Sequence, residues 1–341
     1  MLEVHCTHRA KIRNHSQVAE SLDQHGWSAS KLWNVANYHS RQVWEETGEI
    51  PDHEELKDEL KTHPKYKGLH SQSSQRVLEE LAEAFNSWYG SDDERDNPPG
   101  YRKENYYDSE GRRVHEEHPR STVTWKQNGI RHDTKDNRVR LSKGANHKEH
   151  PRAWEYILVE YETRPDVTVE NLQQVRAVYD NAKERWELHL VCKDEIEMPD
   201  APGNETAGID LGISNFAAVA YSTEVADLYP GNRLKQDSYY FPKEIAKCDD
   251  SGGERATLLQ HKWSERRTHF FHSLAKHIVQ RCVEKGVGRI NVGDLEGVRE
   301  DENGDSKNWG KHGNLDLHGW AFDRFTSILT YKAKVEGIEV V

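Results

Sequence analysis

The stretch Gly208-Ile-Asp-Leu-Gly-Ile-Ser-Asn-Phe-Ala-Ala-Val-Ala-Tyr221 decides how the chain is to be read. Two short apolar runs flank a segment of Gly, Ser and Asn, which predicts a strand, a tight turn and a returning strand. Asp210 interrupts the first run. In an apolar strand an ionised carboxylate is costly unless it is paired or bound to metal. Gly208 and Gly212 on either side suit a tight turn or the close approach of another group. Magnesium-dependent phosphoryl transfer uses carboxylates at the ends of adjacent strands, holding two metals about 3.5–4 Å apart. The alternative is that Asp210 merely accepts hydrogen bonds from amides of its own turn.

Downstream, Tyr239-Tyr-Phe241 reads as a third strand. Residues 255–285 predict a long amphipathic helix with Leu258, Leu259, Phe270, Phe271, Leu274, Ile278, Val279 and Val283 inward and Gly286 ending it. A strand over 289–295, a helix over 322–336 and a strand beginning at Ile338 follow, and the stop at Val341 reads as a truncation. The acids Asp294, Glu296, Glu300, Asp301 and Glu302 sit at and after the first of these strands. Asp294 and Glu296 are two apart and share a side if the strand continues.

Upstream, the first fifteen residues supply one strand and 16–46 a helix. A stronger helix fits 71–89, where Val77, Leu78, Leu81, Ala84, Phe85 and Trp88 make an apolar stripe. The polar run 90–100 breaks it. From 101 to 198 the period becomes two, with a hairpin formed by 175–179 and 186–190 around 180–184. That region reads as a small β-barrel.

Net charge is −12 over 341 residues, from 47 Lys and Arg against 59 Asp and Glu, and mean hydropathy is −0.99. The longest apolar run, Phe216 to Tyr221, is far short of the roughly twenty residues a membrane span needs. The charged N-terminus lacks a signal-peptide core. Ten Trp, fourteen Tyr and seven Phe argue against disorder. Cys6, Cys192, Cys248 and Cys282 form no C-x-x-C pair, so a disulfide framework and a zinc ribbon are not expected and a cytoplasmic location is. Residues 101–150 nonetheless hold 12 Lys and Arg against 8 Asp and Glu, a local basic surplus that can mark a nucleic-acid face. His115-Glu-Glu-His118 lacks the i, i+4 histidine spacing of a helical zinc site.

Several segments together resemble the TnpB family, the transposon-encoded OrfB proteins. They are 208–212, Arg267-Thr-His-Phe-Phe-His272-Ser-Leu-Ala-Lys276, Ile290-Asn-Val-Gly-Asp-Leu295 and Trp320-Ala-Phe-Asp-Arg-Phe325, with Leu329-Thr-Tyr-Lys332 and Gly337-Ile-Glu-Val340 beyond. Pro99-Gly-Tyr-Arg-Lys103 agrees more loosely. The resemblance implies an α+β chain: an N-terminal β-barrel with a helical insertion, then an incomplete RNase H-like (RuvC) α/β domain. The boundaries expected are 1–15 for the first barrel strand, 16–95 for the insertion, 96–200 for the barrel and 201–341 for the RuvC part. It implies an RNA-guided DNA endonuclease, with DNA and a guide RNA as partners and no membrane. Arg102, Lys103, Lys126, Arg131 and Arg140 would grip the nucleic-acid backbone.

The resemblance also implies Asp210 as the first catalytic acid and metal ligand. Its second acid is a Glu where this chain has Gly293, so Asp294 or Glu296 would have to substitute. The zinc ribbon and third acid of the family do not occur before Val341; zinc is not expected, and Mg2+ is expected only if the site is completed, for example by a separately encoded C-terminal fragment. The chain alone is therefore expected not to cut DNA. Alternatives are a nuclease-dead RNA- or DNA-binding repressor or decoy and, more remotely, an actin-like or sugar-kinase ATPase, whose fold also opens with Gly-Ile-Asp-Leu-Gly.

Overall fold

Apolar residues recurring at helical spacing along the first half of α1 (His15–Thr47) set how the N-terminal part packs. Val18, Leu22, Ala29, Leu32, Trp33 and Ala36 line one side and are buried. The computed structural model describes residues 2–91, 96–102, 105–107, 113–115, 119–150, 155–197, 199–212, 215–248, 253–293 and 321–341. It divides into two compact units, residues 3–194 and residues 195–341 with 1–2.

In the first unit α1 is followed by α2 (His53–Leu60) and α3 (Ser71–Tyr89). Asp52 caps α2, accepting from the Glu54 and Glu55 amides while Glu55 reaches back to the Asp52 amide. The strands β1 (Leu2–Ile12), β4 (Val123–Lys126), β5 (Ile130–Asp133), β6 (Arg138–Ser142), β7 (Tyr156–Glu162), β8 (Leu172–Asp180) and β9 (Arg185–Ile196) form one sheet, ordered β4-β8-β9-β1-β7-β6-β5. It curls until β5 touches β8. The short strands β2 (Asn105–Tyr107) and β3 (Arg113–His115) pair separately. The β8–β9 turn is held by Asp180, whose carboxylate accepts from the Ala182 and Lys183 amides. Trp125 and Trp186 are fully buried between sheet and helices, in one core with Leu22, Leu32, Leu78 and Phe85. Trp186 donates to Asp23 at 2.9 Å, which also receives Arg120 at 2.6 Å, so the indole N–H is not stranded in the core.

In the second unit β10 (Glu205–Leu211) and β11 (Asn215–Tyr221) form the hairpin foreseen at 208–221, and β12 (Val225–Pro230) extends it. On the other side β13 (Val287–Val292) and β14 (Glu339–Val340) run parallel, giving the order β12-β11-β10-β13-β14. The helices α5 (Glu254–Glu284) and α6 (Phe322–Val335) pack on each other and share one core with the sheet. Phe216 is the centre of that core, with Phe270, Phe271, Phe322 and Phe325 ring centroids 5.0–5.5 Å away. Gly286 turns the chain out of α5 at φ +69, a conformation that a side chain would strain.

The expected strand at Tyr239-Tyr-Phe241 is instead part of a helix, α4 (Asn232–Ile245). Leu234, Asp237, Ser238 and Phe241 are its buried residues, and their spacing of three and four is helical. Phe241 lies flat on Trp263 of α5 at 6.0 Å, while Tyr239 and Tyr240 face solvent. No helix among the described residues is long and apolar enough to cross a membrane.

Candidate functional site

Alternation along β10 fixes where Asp210 points. Ala207, Ile209 and Leu211 are buried toward the helices, so Gly208 and Asp210 face the other way and are exposed. The carboxylate therefore stays hydrated, and the burial penalty expected from its apolar flanks does not arise. Asp210 lies opposite Ala218 of β11, at the rim of an open depression of about 480 Å3. Ala218, Ala220 and Ala226 form one side of it, and Asn291 and Gly293 the other. This is the open face of the sheet.

Gly293 follows β13 and donates its amide to the Ile209 carbonyl at 2.8 Å. The parallel register, Gly208 against Asn291 and Ile209 against Val292, then sets position 293 beside Asp210. The sequence position expected for a second acid thus lies next to the first, on the same open face, and carries no side chain. Among the described residues a Cβ at 293 would meet only the Ile209 oxygen, at 3.5 Å, so they leave room for one. Asp294 and Glu296 lie outside the described residues. Among the described residues no group of three His, Cys, Asp or Glu could hold a metal ion. Among the described residues the site holds one carboxylate, which does not make the donor set of a two-metal site.

The five basic candidates separate into different settings. Lys126, at the end of β4, donates to both oxygens of Glu79 on α3 at 2.9 and 3.0 Å. Burial opposes ionisation of Glu79, but Lys126 and Arg76 outweigh it and hold the carboxyl below its ordinary range. Arg102 lies over the Trp33 ring at 3.7 Å and reaches Glu80 at 3.8 Å; burial pushes its guanidinium down while Glu80 opposes that. These two cations are occupied within the fold. Lys103 lies outside the described residues.

Arg131 and Arg140 are brought together. They are cross-strand partners on β5 and β6 and both are exposed. Arg140 also stands opposite Leu158 of β7 and lies 5.2 Å from the exposed ring of Tyr156. Arg140 has no carboxylate partner among the described residues, so charge and aromatic surface are both presented outward. Tyr156 was not singled out from the sequence. The signal that could have found it is alternation: Tyr156 and Leu158 flank the buried Ile157 in a strand whose outer face must be filled by something.

Residues 189–299 match a family profile described as a probable transposase, OrfB_IS605. The chain is 24% identical over 359 residues to the TnpB-like protein ORF457 of Acidianus two-tailed virus, spanning 92% of this chain and 71% of that one. Its fold is similar to that of Cas12f1, solved by cryo-electron microscopy in complex with sgRNA and target DNA. That match has a TM-score of 0.59 at 13% identity and covers 95% of this chain and 73% of the other. The α+β architecture of a curled sheet with helices followed by a second sheet is thus shared with a known protein. Through the family match at residues 189–299 and the viral relative, the chain is similar to the TnpB/OrfB proteins.

Proposed function

We propose that this TnpB-like protein binds RNA and DNA through the outer face of its curled sheet and does not by itself cleave DNA. The binding half is supported by the Arg131–Arg140 pair with Tyr156, and by the shared fold with a protein solved on sgRNA and target DNA. The Arg pair would contact phosphates and read no sequence, which base pairing with a guide would then supply.

The observation that carries the second half is Gly293 beside Asp210. In-line phosphoryl transfer with two metals needs carboxylates on both strands to fix the ions, and among the described residues β13 offers none beside Asp210. Mg2+ would be the cofactor only if a further segment or a second polypeptide supplied the missing ligands. A repressor or decoy role fits the same observation, because a Gly at the acid's position removes a metal ligand and leaves the Arg131–Arg140 surface on the other sheet as it is.

The test uses the purified full chain with Mg2+, end-labelled DNA, and RNA that co-purifies with the protein. Retained RNA, metal-independent nucleic-acid binding and intact DNA are expected. Metal-dependent cleavage that Asp210→Ala abolishes would overturn the non-cleaving half, and failure to bind either nucleic acid would overturn the other.

A further inference from the structure

We infer that a second feature of the N-terminal unit, a cleft walled by Tyr38 and Tyr101, takes an unstacked base of single-stranded RNA; this rests on the nucleic-acid reading above. The cleft has a volume of about 620 Å3 and is lined by Asn34, Val35, Tyr38, His63 and Tyr101. That lies within the roughly 300–1,000 Å3 of small-ligand sites. Tyr38 and Tyr101 are 56% and 39% exposed, so both rings can be reached from solvent.

One wall is built before any ligand arrives. Residues 99–102 cross α1 as a strap held by its side chains. Asn37 and Arg41 donate to the Pro99 carbonyl at 2.9 and 2.8 Å, and Trp33 to that of Gly100 at 3.0 Å. Asn34 donates to the Arg102 carbonyl at 2.9 Å and accepts its amide at 2.7 Å. Five hydrogen bonds to three residues hold Tyr101 between them, so its backbone is placed with little entropy left to lose on binding. They also engage the Asn34 amide once as donor and once as acceptor, and the walls of the cleft are largely aromatic and apolar.

The rim supplies the rest. His63 accepts the Lys65 amide through Nδ1 at 3.1 Å, so the neutral ring carries its hydrogen on Nε2. The Tyr38 hydroxyl accepts from Gln42 at 2.9 Å and keeps its own hydrogen as a donor. Lys61-Thr-His-Pro-Lys-Tyr-Lys67 contains three lysines and no acid in a chain of net charge −12. Lys61 is paired with Asp58 at 2.8 Å, but Lys65 and Lys67 are exposed with no ion-pair partner among the described residues. The turn that carries them is fixed, since Asn146 donates to the Pro64 carbonyl at 2.8 Å and Ser74 to that of Tyr66 at 2.6 Å. Arg41 stands 5.4 Å from the Tyr101 ring. Flat π walls, donors at one edge and unneutralised cations beside them match a base joined to its phosphates. An apolar peptide would satisfy the walls and leave the cations without a counterpart.

The experiment measures binding of the full chain to a mixed-sequence single-stranded oligoribonucleotide and to the same oligomer made abasic. The wild type is expected to prefer the base-bearing strand. Tyr38→Ala and Tyr101→Ala should each weaken that strand about tenfold, leave abasic binding and the salt slope unchanged, and be rescued by Phe at the same position. If the Ala variants bind the base-bearing strand as the wild type does, the base-binding inference is wrong and nucleic-acid binding stands. If they instead shift the sedimentation of the free protein, the cleft is an interface between copies and the inference is again overturned. If the wild type binds neither oligomer, the nucleic-acid reading fails and this inference fails with it.

Discussion

Gly293 lies beside Asp210 across the parallel pairing of β13 with β10, close enough that its amide bonds the carbonyl of Ile209, the residue before the acid. The backbone geometry for two adjacent carboxylates is present, and one side chain is not. Gly293 is outside the left-handed region that only glycine tolerates well, and a Cβ there finds ordinary contact. Gly293→Glu is therefore expected to fold with a stability change within about 0.5 kcal/mol. It should bind Mn2+ at least about tenfold more tightly than the wild type by calorimetry, since a second hard oxygen donor joins the first. Asp210→Asn in the same background should cancel the gain. No gain in Gly293→Glu would mean that the two positions do not make a metal pair.

Charge removal should act unequally among the basic candidates. Arg131→Ala with Arg140→Ala removes two outward cations and should flatten the dependence of log K on log salt by about 1.4 for single-stranded nucleic acid. Lys126→Ala removes a cation already paired with Glu79. Its main effect should be on folding, about 0–1 kcal/mol in a denaturant titration, with the salt slope unchanged.

Acid should weaken the N-terminal unit through His25. Its Nδ1 hydrogen bonds the Ser21 carbonyl at 2.6 Å and its Nε2 accepts the Gly144 amide at 3.2 Å, so only the neutral ring fits. Burial first, then His147 and Lys143, push its pKa down to about 4 against the Ser21 bond, which opposes them. The unfolded chain takes up this proton near 6.5, so the stabilisation is complete above that pH and is lost progressively as pH falls toward 4. The loss is about 3 kcal/mol. Thermal melts from pH 7 to 4 should show the decline, and His25→Gln should flatten it from a lower starting stability.

The second core should depend on one ring. Phe216 contacts four other phenylalanines and is fully buried. Phe216→Ala is expected to destabilise the C-terminal unit by about 3–5 kcal/mol, because the surrounding rings cannot all collapse into the space. A melting transition unchanged within error would place the core elsewhere.

Helix α3 was legible to the residue, since its stripe of Val77, Leu78, Leu81 and Phe85 has a strong period and the breaker at 90–100 ends it. The β8–β9 hairpin was legible for the same kind of reason: clean alternation on both sides of a turn that Asp180 stabilises. Helix α4 was not. Three consecutive aromatics carry no usable period, and what buries Phe241 is Trp263, 22 positions away on α5. Strand β12 escaped notice because it is a mostly exposed edge whose apolar Val225 and Leu228 show no buried alternation, held by pairing to β11.

The sequence by itself determined most of the local elements, the place of Asp210 in a strand before a tight turn and the family resemblance, because periodicity, turn residues and motif order are properties of neighbouring positions. Tertiary structure alone decided that Asp210 is exposed on a sheet face that no described residue covers, since alternation tells which residues share a face and not whether anything packs on it. It alone joined Arg131 to Arg140, tied up Lys126 and Arg102, and brought Tyr38, His63 and Tyr101 around one cleft. Those outcomes depend on strand register and on side-chain bonds between distant segments, such as the grip of Asn34 on Arg102, and no local pattern encodes them.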